Sequence, residues 1–321
     1  MTEATATIEF PLVGAGGEPV DLWRTINSHG IASLPPMAVD ETARTLTVTT
    51  ALTGIGPRTL TISAGQSGHG QVQAHELPPG AAPRDVALAA ARHLLRLDQD
   101  LTPFYALAAN DPDLAWAARG AGRMIRCATV FEDVVKTICT TNCTWSATER
   151  MVAALVANLG DPAPDAPADG AAGRAFPSPA AMAAADETFY RDVVRAGYRS
   201  RYLRELAQAV AAGTLDLEPL GQATPDDLPD DDLAKRLLAL PGVGPYATAH
   251  IMMMLGRSSL LIFDSWTRPK YARLMGLESV TDADITARFA LYGPYAGLAF
   301  WLFLTRDWIE EQVPVISSRS C

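Results

Sequence analysis

The stretch LPGVGPYATAHIMMMLG, residues 240–256, holds a glycine–valine–glycine turn between two helical patterns. The helix before the turn, predicted over 231–240, is broken by Pro241. Pro245 is predicted to be the first residue of the next helix, where its missing N–H costs nothing. The turn is therefore either a connector between two core helices or a site at which a ligand meets the start of a helix.

The second alternative has a clear physical basis in Gly242, Val243 and Gly244. Glycines allow a ligand to approach the main chain closely. The helix that follows points its unpaired N–H groups and the positive end of its dipole at the turn, which suits a phosphate. A lone motif of this kind is more often a simple connector, so a second feature is needed to indicate function.

That second feature is Asp264, which follows Gly244 by twenty residues and stands where another helix is predicted to begin. Aspartate is a good helix N-cap, and this structural role needs no further function. A carboxylate beside a phosphate-binding turn would also stabilise a developing cation or activate water. The spacing between the turn and the aspartate makes the sequence recognisable.

Composition bounds the function but does not decide it. The chain has 321 residues and a formal net charge of −10, which argues against a generic electrostatic DNA binder. The acidity is concentrated in 160–170 and 224–232, whereas 195–206 carries four arginines. Four cysteines in a chain of this length do not form a disulfide framework. Cys139 and Cys143 are expected to share a helix face, and Cys127 and Cys321 stand alone.

The patterns along the chain predict an α+β fold. Alternation over 44–50 and 58–63 predicts two strands joined by a turn, and 70–77 adds a third. Helical periodicity begins near residue 82 and recurs to the end of the chain. It is interrupted by a Pro/Ala/Gly-rich connector over 161–179 that is expected to be mobile in its first half. Helices are predicted over 82–97, 131–139, 146–159, 200–210 and 231–240.

The segment from Leu237 to Gly276 resembles the helix-hairpin-helix/Gly-Pro-Asp (HhH-GPD) superfamily of DNA glycosylases. The hallmark of that family is an L-P-G-hydrophobic-G hairpin followed about twenty residues later by an essential aspartate. The stretch FEDVVKTICTTNCTWSATERMVAAL, 131–155, is similar to the helix–turn–helix of 8-oxoguanine DNA glycosylases and 3-methyladenine DNA glycosylase II. The likeness extends to 97–126 and, loosely, to 20–36.

The resemblance implies a small N-terminal antiparallel β-domain over 1–96 and a larger helical body. One helical domain would combine 97–125 with 265–321, and the other would span 126–264 with the hairpin at 240–245. It implies that the partner is double-stranded DNA with a damaged or modified base, and that the enzyme extrudes this base from the DNA duplex. A monomeric, cytoplasmic protein with no membrane segment is expected, associated with the nucleoid when it acts on DNA.

In this family the aspartate stabilises the positive charge that develops on the sugar, and Asp264 takes that catalytic role by resemblance. Bifunctional members carry a lysine at the second residue after the hairpin, where this chain has Tyr246. A phenol cannot form a Schiff base, and the three lysines, Lys136, Lys235 and Lys270, stand elsewhere. The prediction is a monofunctional enzyme that leaves an abasic site uncut.

The resemblance also assigns further residues. Gly242, Val243 and Gly244 would hold a DNA phosphate, and the carbonyls of Leu240 and Val243 would bind a structural Na⁺ or K⁺. No other cofactor and no iron–sulfur cluster is predicted. The remaining candidates are Tyr246, Trp266 and His29 for the base pocket, and Asn142, Trp145 and Arg199, with Tyr246, for DNA contact.

Each of those candidates has a structural alternative. Asn142 would either fill the gap left by the extruded base or cap a loop, and Trp145 would be a stacking wedge or a core residue. A solitary histidine such as His29 is more often structural. The arginines of 199–204 would meet phosphates or form a salt-bridged helix face. His250 and the methionines after it are predicted to be core.

The substrate is the most open question. Alkylated purines are the first prediction, because alkylation at N3 or N7 makes the base cationic and a good leaving group, and an aromatic pocket suits a cation. Oxidised, deaminated or hypermodified bases are the alternative. A non-catalytic DNA-lesion-binding protein and, more weakly, a nucleosidase acting on free nucleosides are the rival functions.

Overall fold

A computed structural model describes residues 3–309, so that Cys321 and the end of the predicted domain 265–321 lie outside the described residues. Five strands form one antiparallel sheet in the order β1-β5-β4-β3-β2. The strands are β1 Glu3–Pro11, β2 Met37–Asp40, β3 Thr45–Leu52, β4 Gly56–Ala64 and β5 His69–Leu77.

Alternation of apolar residues explains why one face of this sheet is buried. Leu46 pairs with Ile62, and Ile62 pairs with Val72 on the next strand, so that one row of apolar side chains crosses three strands. All three side chains are fully buried. Successive side chains point to opposite faces of a strand, so the threonines between them face away. The three predicted strands are confirmed.

Twelve α-helices are present in residues 3–309, and those that hold the site lie in the second half of the chain. They are α1 Leu22–Ile26, α2 Ala81–Leu94, α3 Thr102–Ala108, α4 Val130–Thr140, α5 Trp145–Leu159, α6 Pro179–Ala184, α7 Arg199–Ala211, α8 Asp230–Leu238, α9 Pro245–Met254, α10 Thr267–Met275, α11 Asp282–Phe289 and α12 Ala296–Thr305. The α+β fold class is confirmed, and so are the five helices predicted in detail, with ends shifted by a few residues.

Two details of the sequence prediction are wrong. The helix before the hairpin ends at Leu238, because Ala239 and Leu240 already belong to the turn. Cys143 does not share a helix face with Cys139, because α4 ends at Thr140 and Cys143 lies in the turn after it. Its thiol instead donates a hydrogen bond to the Cys139 carbonyl.

The core consists of two hydrophobic clusters. One joins the sheet to α2, α3, the end of α9 and α10–α12, and the other is formed by α4–α9. Helices from both ends of the chain therefore pack against the buried face of the sheet. Helix α9 lies between the clusters: Ala249, Met253 and Met254 pack into the first, and Ala247 and Met252 into the second. The sequence of α9 has apolar residues on all faces of the helix, which predicts a helix buried on all sides, and α9 is buried between the two clusters.

The connector over 161–179 has its own backbone bonds. The Ala163 N–H donates to the Gly173 carbonyl at 2.8 Å, and the Ala175 N–H donates to the Asp161 carbonyl at 2.9 Å. These two bonds close the loop onto itself, and they were not predicted from its Pro/Ala/Gly composition. Among the described residues, no helix is long and apolar enough to cross a membrane.

Candidate active site

The hairpin between α8 and α9 uses its two glycines differently. Gly242 has φ 78°, a left-handed conformation that favours glycine, and a Cβ there would lie 2.9 Å from the Tyr202 side chain. Gly244 has φ −105°, which any residue adopts, and a Cβ there would meet nothing within 4 Å. Gly242 is thus required by the turn, whereas Gly244 leaves open space in front of the helix.

The first turn of α9 has no side-chain cap. Pro245 has no N–H, and the Thr248 N–H donates back to the Gly244 carbonyl at 2.9 Å. The N–H groups of Tyr246 and Ala247 lie between these two, and within residues 3–309 they find no hydrogen-bond acceptor. A helix start of this kind, open to solvent at Gly244, is suited to bind an anion.

Asp264 lies at the start of α10 and is half-buried. Its Oδ1 accepts from the N–H of Trp266 at 2.8 Å and from the N–H of Thr267 at 2.6 Å, and its own N–H donates to Thr267 Oγ1. Within the part of the chain that the structure describes, Oδ2 accepts no hydrogen bond. The carboxylate therefore caps α10 with one oxygen and keeps the other oxygen available.

Tyr246 lies in the first turn of α9. Its side chain is half-buried and packs against both hydrophobic clusters, so it stands at the junction between them. Burial raises the pKa of Tyr246, a hydrogen bond with Thr140 opposes this, and the charge of Asp264 raises the pKa further. Phenol and carboxylate therefore interact electrostatically across this junction.

A series of aromatic rings continues from Tyr246. The Tyr246 and His250 ring centroids lie 4.5 Å apart, and the His29 ring lies 5.3 Å from His250 and stacks on Trp301 at 5.3 Å. Trp266 lies 5.9 Å from Trp301. We call Tyr246, His250, His29, Trp301 and Trp266 the aromatic wall. It joins the first turn of α9 to the residue two positions after Asp264.

The two histidines of the wall are uncharged. His29 and His250 are 8% and 7% exposed, and His29 Nε2 lies 3.2 Å from His250 Nδ1. Burial lowers the pKa of His29 to about 3, and the neighbouring His250 contributes to the same shift. Burial alone lowers the pKa of His250 to about 4. At neutral pH the wall therefore carries no positive charge.

A second surface extends from the hairpin to the turn between α4 and α5. Asn142 is exposed at this turn, in a left-handed conformation with φ 46°, and its Nδ2 donates to Tyr198 Oη at 3.3 Å. The Tyr198 ring lies 6.2 Å from Tyr202, which packs against Gly242. Asn142 and the hairpin therefore lie at the two ends of one strip of tyrosines.

Trp145 and Arg199 have contacts that the sequence did not reveal. Trp145 is 40% exposed, and its ring packs on Gly30, next to His29. Arg199 was predicted to contact DNA, but its side chain is buried. Its guanidinium donates to the Thr141 hydroxyl at 3.2 Å, to the Thr141 carbonyl and to the Ala196 carbonyl. Arg199 thus supports the turn that carries Asn142 and does not reach the surface.

All three lysines are held by carboxylates. Lys136 is fully buried against Glu132 at 2.8 Å, and Lys270 pairs with Asp307 at 2.5 Å. Lys235 pairs with Asp232 on the exposed side of α8. Neither the hairpin nor the aromatic wall contains a lysine.

Sequence reasoning missed part of this site. His250 was predicted to be core, and Trp301 was not singled out because it stands in the apolar run AGLAFWLFLT of α12. One signal was available: residues four apart share a helix face, so Tyr246 and His250 are neighbours on α9. Nothing local relates Trp301 or His29 to that face, since tertiary packing alone brings them there.

The hairpin carbonyls fit the predicted monovalent cation in part. The Leu240 carbonyl accepts only the Val243 N–H, at 3.2 Å, and keeps a second lone pair. The Val243 carbonyl accepts no backbone bond from residues 3–309.

No group of three or more His, Cys, Asp or Glu side chains in residues 3–309 could hold a metal. A cavity of about 520 Å³ between α2, β3 and the loop 161–179 shares no residue with this site.

Comparison with known proteins supports the predicted resemblance. Residues 135–288 match the model of the HhH-GPD superfamily of base excision DNA repair proteins. A Bacillus subtilis (strain 168) protein named "Putative DNA-3-methyladenine glycosylase YfjP" is 26% identical over 132 residues, which are 39% of this chain and 44% of the relative. The match thus spans less than half of the length of that relative.

Two solved structures share the fold of almost the whole chain. The 3-methyladenine DNA glycosylase of Archaeoglobus fulgidus is 18% identical with a TM-score of 0.70, covering 94% of this chain and 100% of its own. The apo form of the Clostridium acetobutylicum 8-oxoguanine glycosylase/lyase is 16% identical with a TM-score of 0.69, covering 94% and 96%. The predicted resemblance to the HhH-GPD superfamily is confirmed over residues 135–288. The two solved structures differ in whether their names include a lyase activity.

Proposed function

We propose that this chain, a member of the HhH-GPD superfamily of base excision DNA repair proteins, is a monofunctional DNA glycosylase. It extrudes a modified base from duplex DNA, hydrolyses its N-glycosidic bond and leaves an abasic site, acting as a monomer on nucleoid DNA in the cytoplasm. The observation that carries the proposal is the continuity of the aromatic wall with both the open helix start at Gly244 and the free oxygen of Asp264.

The hairpin would hold the DNA. The N–H groups of Tyr246 and Ala247, which find no acceptor within residues 3–309, would bind a phosphate at this helix start. A Cβ on Gly244 would meet no atom within 4 Å, so no side chain crowds this position. Because this grip uses main-chain groups and a helix dipole, it does not need a basic surface. A protein with a net charge of −10 would therefore still bind DNA at this point. The Leu240 and Val243 carbonyls would hold a monovalent cation that stiffens the turn.

Asp264 would carry the chemistry. As the bond from C1′ to the base nitrogen breaks, its electron pair leaves with the base and positive charge develops on the sugar. The Asp264 carboxylate would stabilise that charge through its free Oδ2, and a water molecule that attacks C1′ would pass its proton to this carboxylate. Capping by Oδ1 fixes the carboxylate in place before the reaction.

Among residues 3–309 neither the hairpin nor the wall contains a lysine, which supports hydrolysis without strand cleavage. A glycosylase/lyase needs a nucleophilic amine to form a Schiff base at C1′. The residue two positions beyond the hairpin is Tyr246, and Lys270 is paired with Asp307. The expected product is therefore an intact strand with an abasic site.

Alkylated purines are the substrate that the wall favours. An N3- or N7-alkylated purine is cationic, and stacked electron-rich rings attract a cation. A protonated histidine in the wall would repel it, but burial keeps His29 and His250 neutral. Oxidised, deaminated or hypermodified bases lack this charge, and the wall gives them stacking without the cation–π contribution.

The test uses duplexes with one modified base each: 3-methyl-3-deazaadenine as a stable alkylpurine mimic, 7-methylguanine, hypoxanthine and 8-oxoguanine. Strand breaks are measured on denaturing gels with and without alkali, and covalent trapping with borohydride is measured in parallel. We expect excision of 7-methylguanine, breaks only after alkali and no trapped adduct. Breaks before alkali together with a trapped adduct would refute the monofunctional mechanism. Tight binding without excision of any base would instead favour the lesion-binding alternative.

A further inference from the structure

The two buried histidines of the aromatic wall form one hydrogen-bonded pair across the fold. His29 comes from the segment between α1 and β2, and His250 comes from α9, with His29 Nε2 and His250 Nδ1 3.2 Å apart. The segment that carries His29 is fixed on both sides: Trp301 Nε1 donates to the Ser28 carbonyl at 2.8 Å, and Gly30 lies under the Trp145 ring. The pair is therefore held by three separate elements.

The hydrogen bonds determine where the protons are. The Ile31 N–H donates to His29 Nδ1 at 3.3 Å, and a backbone N–H can only donate, so Nδ1 carries a lone pair. A neutral His29 then has its proton on Nε2 and donates it to His250 Nδ1. Because His250 Nδ1 accepts, the proton of His250 must be on its Nε2. One backbone amide thus sets the tautomers of both rings.

The last donor in this series has no partner. His250 Nε2 is buried, and no residue in the part of the chain that the structure describes accepts a hydrogen bond from it. An unsatisfied buried donor destabilises a folded protein and is uncommon in native proteins. The rings around His250 are those of Tyr246, His29 and Trp301, all of them members of the wall. The unsatisfied donor therefore lies among the rings of the wall, where a base that enters between them would meet it.

We propose that His250 Nε2–H donates a hydrogen bond to an acceptor atom of the extruded base, and that His29 is the positioning residue that keeps His250 in the donor tautomer. This inference rests on the proposed function of the site. The pair offers a donor and no acceptor. The base it selects therefore presents a carbonyl oxygen or a ring nitrogen with a free lone pair, such as O6 of 7-methylguanine or N7 of 3-methyladenine. A base that presents an N–H at that position would be rejected.

The first measurement locates the protons in the free, full-length protein. Long-range ¹H–¹⁵N NMR spectra distinguish an imidazole protonated on Nε2 from one protonated on Nδ1. We expect both His29 and His250 to be protonated on Nε2 at pH 7 in the wild type. In His29→Phe, which removes the donor to His250 Nδ1, we expect His250 to populate both tautomers. A His250 protonated on Nδ1 in the wild type would overturn the inference.

The second measurement asks whether the donor acts on the base. Single-turnover release of methylpurines from methylated duplex DNA is compared for the wild type, His250→Phe and His250→Gln. Phenylalanine keeps a ring in the wall without a donor, whereas glutamine restores an N–H. We expect release to slow about tenfold or more in His250→Phe and to return to within about threefold of the wild type in His250→Gln. DNA affinity should stay unchanged in both.

The outcomes separate this inference from the proposed function. Wild-type release with an equal rate in His250→Phe would overturn the role of His250 and leave the glycosylase activity standing. No release by the wild type, with the expected tautomers in the spectra, would refute the substrate prediction, and the assignment of His250 to the base would fall with it. Loss of release in both variants would show that a restored N–H donor does not restore the reaction, which also overturns the inference.

Discussion

Helices α9 and α10 both begin at the site, and they begin in opposite ways. The first turn of α9 has no side-chain cap, and Gly244 leaves open space in front of it. The first turn of α10 is closed by Asp264 Oδ1, which accepts two backbone N–H groups. The same local element is thus built in two ways: one helix start leaves backbone donors without a side-chain partner among residues 3–309, and the other is bonded to a carboxylate of the protein.

This comparison explains how one carboxylate can be both structural and chemical. The two bonds to Oδ1 satisfy backbone donors that any helix leaves unpaired, and they fix the direction in which Oδ2 points. An external phosphate would do for α9 what Asp264 does for α10. Changes at the start of α9 should therefore affect DNA affinity, whereas changes at the start of α10 should affect the rate of reaction.

The largest expected effect is at the closed helix start. Asp264→Asn keeps an oxygen that can cap α10 but removes the negative charge, so it should slow base release by about 10³-fold. The free energy of unfolding should change by less than about 0.5 kcal/mol, since asparagine caps as well as aspartate. Single-turnover release and urea unfolding measure the two quantities. A loss of stability large enough to explain the loss of activity would contradict the distinction between the capping role of Asp264 Oδ1 and the chemical role of Oδ2.

The open helix start should respond in affinity. Gly244→Glu places a negative charge where the phosphate would bind, and we expect DNA affinity to fall by about tenfold or more. The fold should be unaffected, because φ at Gly244 is −105° and the space is empty. Gly276→Ala is the control for backbone strain at a helix end away from the hairpin, with φ 66°. It should cost about 1–2 kcal/mol in stability without changing DNA affinity. Equal affinities for wild type and Gly244→Glu would refute the phosphate site.

The aromatic wall between the two helix starts should make stability depend on pH. The pKa of His29 is lowered to about 3 and that of His250 to about 4, from 6.5 in the unfolded chain. Between these values the unfolded chain binds more protons, so the free energy of unfolding should fall as the pH drops below about 6.5. The slope approaches about 1.4 kcal/mol per pH unit for each histidine.

Urea unfolding at pH 7, 6 and 5 would measure that slope. In the double variant His29→Gln/His250→Gln, the slope of the free energy of unfolding against pH should lose the contribution of the pair. The slope should keep the contribution of His93, whose pKa is lowered to about 4, chiefly by burial. A wild-type stability that is flat over this range would mean that the pair is solvated or already charged.

The smallest expected effect comes from an ordinary cap. Helix α11 begins with a capping box in which Thr281 and Asp284 bond each other's backbone N–H groups. Thr281→Ala should lower the free energy of unfolding by about 1 kcal/mol and leave base release unchanged. It is the matched control for Asp264, because it removes a cap without removing a candidate catalytic group. A comparable loss of activity would show that rates here merely follow stability.

The sequence predicted the elements of this site better than their assembly. The hairpin, the helix that starts at Pro245 and the aspartate twenty residues after Gly244 are local patterns, and they can be recognised without a structure. The role of Arg199 could not, because its burial follows from where Thr141 and Ala196 lie. The wall could be predicted only in part: Tyr246, Trp266 and His29 were candidates for the base pocket. His250 and Trp301 were not, because each lies in an apolar helix typical of a core.

We propose that Asp264 stabilises the charge that develops as the bond between base and sugar in DNA breaks. The most direct measurement is mass spectrometry of free bases released from methylated and untreated genomic DNA by the wild type and by Asp264→Asn, with binding of the same DNA measured alongside. We predict that the wild type releases N3- and N7-methylpurines, and that the variant binds equally well and releases none. Equal release by both proteins would contradict the claim.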